Sequence, residues 1–274
     1  MEYEQIRFEV NDGIARLTLS RPERLNAWTA QMNMELVDAI EHCNASDEVG
    51  AMIITGEGRG FCAGADIGDT FQARIDQTDA EEQVENPVRE RREPSDWVGL
   101  LRRSKPLVAA VNGASVGVGA TMILPCDVIV AAESARFAMA FIKMGLVPEL
   151  ASSHFLVQRM GFGRASEMCL TGRLYSAREA FDMGLVDHLV DDDQLLVKAQ
   201  EIAALMAANP GPQLRWVKQL LTENGSATNL ADVQRREGEL LQQAYVTPEH
   251  KEAVAAFLEK RPADYRRALR DAQG

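Results

Sequence analysis

The chain has 274 residues, of which 46% are hydrophobic and 26% are charged, a composition typical of soluble globular proteins. Its net charge of −12 argues against nucleic acid or an anionic membrane as the main partner, so an anionic ligand would need local basic residues. The four cysteines and four histidines lie far apart, so no metal site is predicted. The absence of a C-x-x-C pair predicts reduced core thiols in a cytoplasmic protein. The acidic segment MEYEQIRFEV resembles neither a signal peptide nor an Arg-rich transit peptide.

The first predicted elements are a β-hairpin, a helix and a strand. Residues 7–10 and 14–20 alternate in polarity around an Asn-Asp-Gly turn, the pattern of a tight hairpin. Thr29 is a candidate N-cap for a helix whose apolar residues recur at helical spacing up to Ile40. Residues 51–55 form a predicted buried strand, and the glycine-rich loop that follows contains no nucleotide-binding motif.

The composition changes abruptly at residues 69–94, which carry dense charge of both signs and few large apolar side chains. This pattern predicts a solvated helix or a mobile segment on the surface, either a passive surface or a gate for a ligand. Residues 96–103 then predict a helix that leads back to the centre of the chain.

Residues 105–127 place glycines between two apolar runs and predict a strand, a glycine turn and the start of a helix. Four interpretations compete for this stretch. Residues 107–126 carry no charge and are long enough for a membrane span, although an asparagine, glycines and a proline interrupt them. Residues 113–117 match the G-x-S-x-G nucleophile elbow, with Ser115 as the nucleophile. The glycines could also open a backbone site for an anion or oxyanion, or merely allow a helix to pack closely on a strand.

The second half of the chain starts with a predicted strand at residues 126–132 and a predicted helix from Pro148 to Met160. Glu149 would lie in the first turn of that helix. There its carboxylate could simply stabilise the helix through a favourable interaction with the helix dipole. Alternatively, it could act as a catalytic base in apolar surroundings. Beyond Asp191 the chain is predicted to be helical, at residues 195–208, 213–221, 230–245 and 249–258.

Several short stretches together resemble the crotonase superfamily, the enoyl-CoA hydratase/isomerase family, over essentially the whole chain. They are SRPERLNA at 20–27, GFCAGADI at 60–67, residues 105–119, Cys126-Asp127, GLVPE at 145–149 and FLEKR at 257–261. The resemblance implies an α/β fold, a spiral of ββα units with a C-terminal helical trimerisation region. With the helical pattern beyond Asp191, we predict a core at 1–195 and a C-terminal helical region at 196–274. The resemblance gives that region a role in oligomerisation and implies a homotrimer or homohexamer.

The resemblance also implies an acyl-CoA thioester substrate, with coenzyme A as part of the substrate rather than a separate cofactor. Its carbonyl oxygen would lie between the backbone N–H groups of Ala65 and Val118, where Val118 replaces the glycine usual in the family. The positions that match the family's coenzyme A site are Arg24, Leu25, Ala63, Asp66 and Ile67, while Phe257 and Lys260 match positions that reach the nucleotide of a neighbouring subunit.

The acidic residues distinguish this chain from the hydratases that it resembles. Hydratases of the family use two glutamates, and the matching positions here are Thr121 and Phe141, neither of which transfers protons. Glu149 instead matches the single Pro-Glu carboxylate of Δ3,Δ2-enoyl-CoA isomerases. Its position in the sequence is also close to that of the catalytic acid of ring-epoxide isomerases. The resemblance therefore predicts an acyl-CoA double-bond isomerase with Glu149 as base. Hydratase or other crotonase chemistry, a non-catalytic acyl-CoA binding protein and a serine hydrolase remain the alternatives.

Overall fold

The computed structural model of the protein describes residues 2–66 and 96–273. The prediction for the charged segment at 69–94 and the predicted coenzyme A contact of Ile67 lie outside the described residues. The rest of the chain supplies the elements that follow.

Ten strands form two sheets in the described part of the chain. They are β1 (Ile6–Asn11), β2 (Ile14–Leu19), β3 (Ala51–Gly56), β4 (Gly60–Cys62), β5 (Leu107–Val111), β6 (Ala114–Val116), β7 (Val128–Ala132), β8 (Arg136–Ala138), β9 (Tyr175–Ser176) and β10 (His188–Val190). The large sheet has the order β1-β2-β3-β5-β7-β10, and the small sheet has the order β4-β6-β8-β9. From β3 to β8, successive strands alternate between the two sheets, so the chain winds as a spiral.

The helices surround and extend this spiral. Within the same residues they are α1 (Ala30–Ala45), α2 (Trp97–Arg103), α3 (Val118–Thr121), α4 (Ser152–Met160), α5 (Phe162–Thr171), α6 (Ala177–Met183), α7 (Leu195–Ala207), α8 (Gly211–Asn224), α9 (Leu230–Tyr245), α10 (Pro248–Glu259) and α11 (Tyr265–Gln273). The mixed α/β architecture confirms the predicted fold class, a spiral that continues into a helical C-terminal region.

The hairpin and the first helix form as their sequences predict. Strands β1 and β2 pair with Asn11 opposite Ile14, and Asp12 and Gly13 have φ values of +50° and +76°. Positive φ at both central residues is the geometry of a type I′ turn, which suits the twist of the strands. The Thr29 side chain accepts a hydrogen bond of 3.0 Å from the Met32 amide, and it therefore caps α1.

The central strands of the large sheet, such as β3 and β5, are buried on both faces. Its strands from β2 to β10 are parallel, and alternate residues along them point to opposite faces. Ile54 faces the core between the two sheets, whereas Ile53 packs with Val130 against α7 through Leu195 and Ala199. This double coverage explains the continuous apolar runs of these strands, since parallel sheets have no solvent-facing side.

The predicted helix that begins at Pro148 is wrong at its N-terminal end. Helix α4 begins at Ser152, because Leu150 and Ala151 have left-handed backbones with φ values of +52° and +53°. Glu149 therefore lies in the loop before the helix and not in its first turn. Nothing in the side chains of Leu150 and Ala151 signals this conformation, which glycine or asparagine adopts more readily.

Three of the C-terminal helices, α7, α8 and α11, pack against the body of the same chain. Helix α8 contacts α2 through Lys218, whose ammonium donates to the carbonyl oxygens of Leu101 and Lys105. On α11, the Arg266 guanidinium donates to the carbonyl oxygen of Glu48 at 3.2 Å. Helix α7 forms part of the core, while the division at residues 195 and 196 stays a prediction. No helix in residues 2–66 and 96–273 combines the length and apolarity that crossing a membrane requires.

Candidate active site

The candidate site lies at one edge of the small sheet. Strands β4 and β6 are parallel neighbours, with Gly60 opposite Ala114 and Cys62 opposite Ser115. Because the carboxyl ends of parallel strands meet at the same edge, the segments after β4 and β6 lie side by side. The first of them contains Ala65, and the second contains Val118 at the start of α3.

The direction of the Ala65 amide follows from the hydrogen bonds on either side of it. Trp28 donates its N–H to the Gly64 oxygen at 2.8 Å and accepts from the Asp66 amide at 2.9 Å. Since consecutive N–H groups of an extended chain point to opposite edges, the Ala65 N–H faces away from Trp28 and toward the β6 side. Gly64 has a φ of +115°. A Cβ built on this residue would lie 3.4 Å from the Val116 carbonyl oxygen.

The Val118 amide is the first N–H of α3, where a helix has no internal acceptor. The Val118 residue is 8% exposed. Gly117, which precedes it, has a φ of +55° and a ψ of −123°. A Cβ at Gly117 would lie 4.0 Å from the Cα of Gly64, so the two segments approach closely. Among the described residues, neither the Ala65 nor the Val118 N–H donates to a backbone carbonyl. Both remain available to one oxygen atom bound between the segments.

The glycines around Val118 have two different roles. A Cβ at Gly113 would come 2.2 Å from the Arg59 oxygen, and one at Gly119 would come 2.1 Å from the Cys62 oxygen. These two glycines allow close packing of strand and helix. Gly117 meets no such obstacle and is required by its backbone conformation, which L-residues rarely adopt. The packing interpretation and the backbone-site interpretation therefore apply to different glycines of the same stretch.

Two potential nucleophiles near this edge are not placed for attack. Ser115 lies inside β6, is fully buried and donates its hydroxyl to the Gly119 oxygen at 2.9 Å. A nucleophile elbow would place the serine at the exposed turn between strand and helix, so the geometry does not support the hydrolase alternative. The Cys62 thiol is also buried, and burial raises its pKa to about 11, which keeps it neutral at physiological pH.

Glu149 reaches this edge from the loop before α4. Its Oε1 atom lies 3.5 Å from the Thr121 hydroxyl, which is also 3.3 Å from the Val118 carbonyl oxygen. Thr121 is the last residue of α3, one helical turn after Val118, so the carboxylate contacts this helix one turn away from the Val118 amide. The expected apolar surroundings are not found, because Glu149 is exposed on this chain. Although it is exposed, the Glu149 carboxylate contacts Thr121 and is a group that can transfer protons.

The two positions that match hydratase acids hold no proton-transferring group. Thr121 is fully buried and in contact with Glu149, as described above. Phe141 lies in a 3-10 turn at Ala140–Met144 and packs, partly buried, against the main core. Within the described part of the chain, Glu149 is therefore the carboxylate that the hydrogen bonds connect with α3.

The predicted coenzyme A residues fall into two groups. The Ala63 amide donates to the Leu25 oxygen at 3.0 Å, and Asp66 follows Ala65 directly, so these residues surround the Ala65 amide. Arg24 ends an exposed 3-10 turn beside them. Phe257 is 82% exposed near the end of α10, and Lys260 caps that helix with a φ of +55°. No hydrogen bond or ion pair between described residues connects this second group with Ala65.

Sequence reasoning missed the residues that hold the Ala65 segment in place. Arg21 forms an ion pair with Asp66, and Asn26 is fully buried and donates to the Gly60 oxygen at 2.8 Å. Trp28 bridges to Ala65 and packs edge-on against Trp97, with ring centroids 5.6 Å apart. All three lie in or beside the stretch SRPERLNA at 20–27. Polar residues among apolar ones in that stretch were the sequence signal that could have indicated a structural role for them.

A separate cavity of about 520 Å³ lies between α4 and α8, away from these amides. Its charged groups neutralise one another: Asp127 pairs with Arg102 at 3.0 Å and with Lys218 at 2.8 Å, and Arg159 pairs with Asp187 at 3.2 Å. Neither Ala65 nor Val118 lines it. The hydrogen-bonding geometry, rather than cavity volume, therefore locates the candidate site.

Comparisons with known proteins point to one family. Residues 9–268 match the family model described as enoyl-CoA hydratase/isomerase. A 1,2-epoxyphenylacetyl-CoA isomerase of Escherichia coli is 35% identical over 270 residues, covering 96% of this chain and 98% of the relative. A probable enoyl-CoA hydratase of Rhodobacter capsulatus is 37% identical over 268 residues, covering 97% and 99%.

A solved structure supports the same relationship at the level of the fold. The crystal structure of an enoyl-CoA hydratase from Bacillus anthracis superposes with a TM-score of 0.82 at 27% identity, covering 96% of this chain and 99% of that one. The described architecture, the match over nearly the whole chain and the two relatives lead to one conclusion. The chain belongs to the enoyl-CoA hydratase/isomerase family of the crotonase superfamily.

Proposed function

We propose that the protein is an acyl-CoA double-bond isomerase that moves a double bond from the Δ3 to the Δ2 position. Glu149 removes a proton from C2 of the 3-enoyl thioester. The electrons of that C–H bond form a double bond between C1 and C2, and the carbonyl π electrons move onto the oxygen. The dienolate oxygen accepts hydrogen bonds from the Ala65 and Val118 amides. The same carboxyl group returns the proton at C4, which leaves the double bond between C2 and C3.

The position of Glu149 is the observation that carries this proposal. Its carboxylate lies 3.5 Å from Thr121, one helical turn from the Val118 amide that would bind the oxygen. A 1,3-proton shift needs one group that alternates between base and acid, whereas hydration across a double bond in this family uses two. The similarity to 1,2-epoxyphenylacetyl-CoA isomerase is in keeping with isomerase chemistry on an acyl-CoA.

The proposal extends to coenzyme A and to the assembly. On a chain of net charge −12, the substrate phosphates need local cations, and Arg24 and Lys260 are the candidates. The 82% exposure of Phe257 at the end of α10 supports a role across a subunit boundary, in a homotrimer or homohexamer. We propose that the protein acts in the cytoplasm on free acyl-CoA, without a separate cofactor.

The experiment that tests the proposal follows the absorbance of the conjugated thioester on a trans-3-enoyl-CoA. Glu149→Gln should lower kcat about 10²- to 10⁴-fold, because the amide cannot accept and return the proton. Glu41→Gln is the matched control: this exposed residue of α1 pairs with Arg103, and its variant should keep native activity. Unchanged turnover in Glu149→Gln would remove Glu149 as the base.

Hydratase chemistry is the second candidate, because the Rhodobacter capsulatus relative bears that name. In that case Glu149 alone would activate a bound water molecule for addition to a trans-2-enoyl-CoA. Loss of the conjugated absorbance of the 2-enoyl substrate by the native protein, with no action on the 3-enoyl substrate, would favour it. Binding of both thioesters without turnover would favour a non-catalytic acyl-CoA binding protein.

A further inference from the structure

Arg21 connects the two segments that flank the Ala65 amide. Its Nη1 atom donates to the Ala27 carbonyl oxygen at 2.7 Å, and its Nη2 atom donates to Asp66 Oδ2 at 3.1 Å. The side chains of Arg21 and Asp66 are each 17% exposed, so water screens the ion pair less than it would a surface pair. One guanidinium thus joins the residue before Trp28 to the residue after Ala65.

These contacts continue directly into the hydrogen bonds that orient the Ala65 amide. Trp28, which follows Ala27, bonds Gly64 at 2.8 Å and Asp66 at 2.9 Å. The peptide groups on both sides of Ala65 are therefore tied to Trp28, and Arg21 fixes Ala27 and Asp66 relative to each other. A rotation of the Ala65 amide away from the β6 side would have to break bonds within this closed ring of contacts.

We infer that Arg21 is a positioning residue for the Ala65 amide and thereby contributes to stabilisation of the thioester oxyanion. This inference rests on the proposed function, which gives that amide its role. Arg21 acts on the reaction through Asp66 and Ala27, and its own guanidinium is engaged by those two groups. Its effect is on the direction of a backbone N–H.

The planar guanidinium suits this role because it presents several N–H donors in a fixed arrangement. Two of them meet acceptors on different segments, so the side chain fixes an angle as well as a distance. A lysine carries its charge at a single flexible point and would hold the Asp66 carboxylate without fixing the Ala27 oxygen in the same way. Arg21→Lys should therefore keep part of the contribution that Arg21 makes to the direction of the Ala65 N–H. Arg21→Met should lose that contribution.

The test uses 4-(dimethylamino)cinnamoyl-CoA, a thioester whose absorption moves to longer wavelength when its carbonyl oxygen accepts hydrogen bonds. Native protein should shift the band, and Arg21→Met should lose about half of the shift or more, with kcat on a 3-enoyl-CoA about ten- to a hundredfold lower and KM nearly unchanged. Arg21→Lys should lie between the two. Arg178→Met is the control, because this exposed residue pairs only with Glu133 among described acidic groups and should behave as native.

Several results would overturn the inference. A folded Arg21→Met protein with the native band shift and kcat would do so, as would a variant that changes only KM. If Arg21→Met does not fold, Arg21→Lys and Asp66→Asn replace it, and a native shift in both would refute the role. A native protein that fails to shift the probe would refute the proposed function itself, a result distinct from any difference among the variants.

Discussion

The two amides at the candidate site are held by different kinds of interaction. Val118 is fixed by packing: its helix lies against β4 because Gly119 has no side chain, and its own side chain is nearly buried. Ala65 is fixed by polar contacts that involve Trp28, Arg21 and Asn26. One side of the site thus depends on volume and the other on hydrogen bonds and charge.

This difference shows how an enzyme can hold two donors rigidly without relying on the same residues for both. Close packing is intolerant of added atoms, because interiors are already dense. A hydrogen-bonded loop is intolerant of lost partners, since a buried polar group left alone costs about 1–3 kcal/mol. Substitutions on the two sides should therefore fail for opposite reasons.

The largest effect is expected from Gly119→Ala on the packed side. The new Cβ would come 2.1 Å from the Cys62 oxygen, so α3 or β4 must move, at a cost of about 3 kcal/mol or more in unfolding free energy. Urea unfolding measures the loss, and kcat should fall with it. The control is Gly163→Ala in the first turn of α5, where a Cβ meets nothing within 4 Å and the change should alter stability by no more than about 0.5 kcal/mol. Equal effects at both positions would contradict the packing explanation.

A smaller loss is expected from Asn26→Ala on the polar side. The Asn26 amide donates to the Glu57 and Gly60 oxygens, and its Oδ1 accepts from the Arg21 amide at 2.8 Å. Removing it should cost about 2 kcal/mol in unfolding free energy, because the Arg21 N–H loses its acceptor and the Gly60 oxygen keeps only the 3.3 Å contact with Asn112. Asn209→Ala removes an exposed amide and should change stability by no more than about 0.5 kcal/mol. A cost at Asn26 no greater than at Asn209 would show that the loop does not need this amide.

The smallest effect is expected at Thr121, the residue of α3 that contacts the proposed base Glu149. Thr121→Val removes the hydroxyl that lies 3.5 Å from Glu149 while keeping almost the same volume. Loss of one long hydrogen bond should lower kcat about two- to fivefold, through a less well-placed carboxylate. Thr121→Ser keeps the hydroxyl and should stay close to native in steady-state assays. A loss in the serine variant equal to that in the valine variant would assign the effect to packing.

Much of the fold could be predicted because its signals are local. The Asn-Asp-Gly turn, the Thr29 cap and the apolar run at 107–111 each act within a few residues, and each forms as predicted. The glycine stretch indicated a backbone site, but it did not reveal that residues 114–116 form a strand of a second sheet. That strand owes its existence to pairing with β4 and β8, which are distant in sequence.

The parts of the site that escaped prediction depend on long-range pairing or on unusual backbone conformation. Arg21 meets Asp66 across 45 positions of sequence, and no spacing rule connects them. The loop at Glu149 resembles a helix start in composition, yet two left-handed residues delay the helix. Family resemblance located Glu149, but its contact with Thr121 required the folded chain.

The left-handed pair after Glu149 has a consequence for how this protein can be improved or can evolve. Leu150 and Ala151 hold a conformation that costs an L-residue about 1–2 kcal/mol, and Leu150 is kept there by packing against the core. A search for greater thermal tolerance would favour glycine at Ala151, where the conformation would cost much less. Under the proposed function this loop also carries the base, and the greater backbone freedom of glycine would then lower turnover. On that proposal, stability and activity would place opposite demands on Ala151.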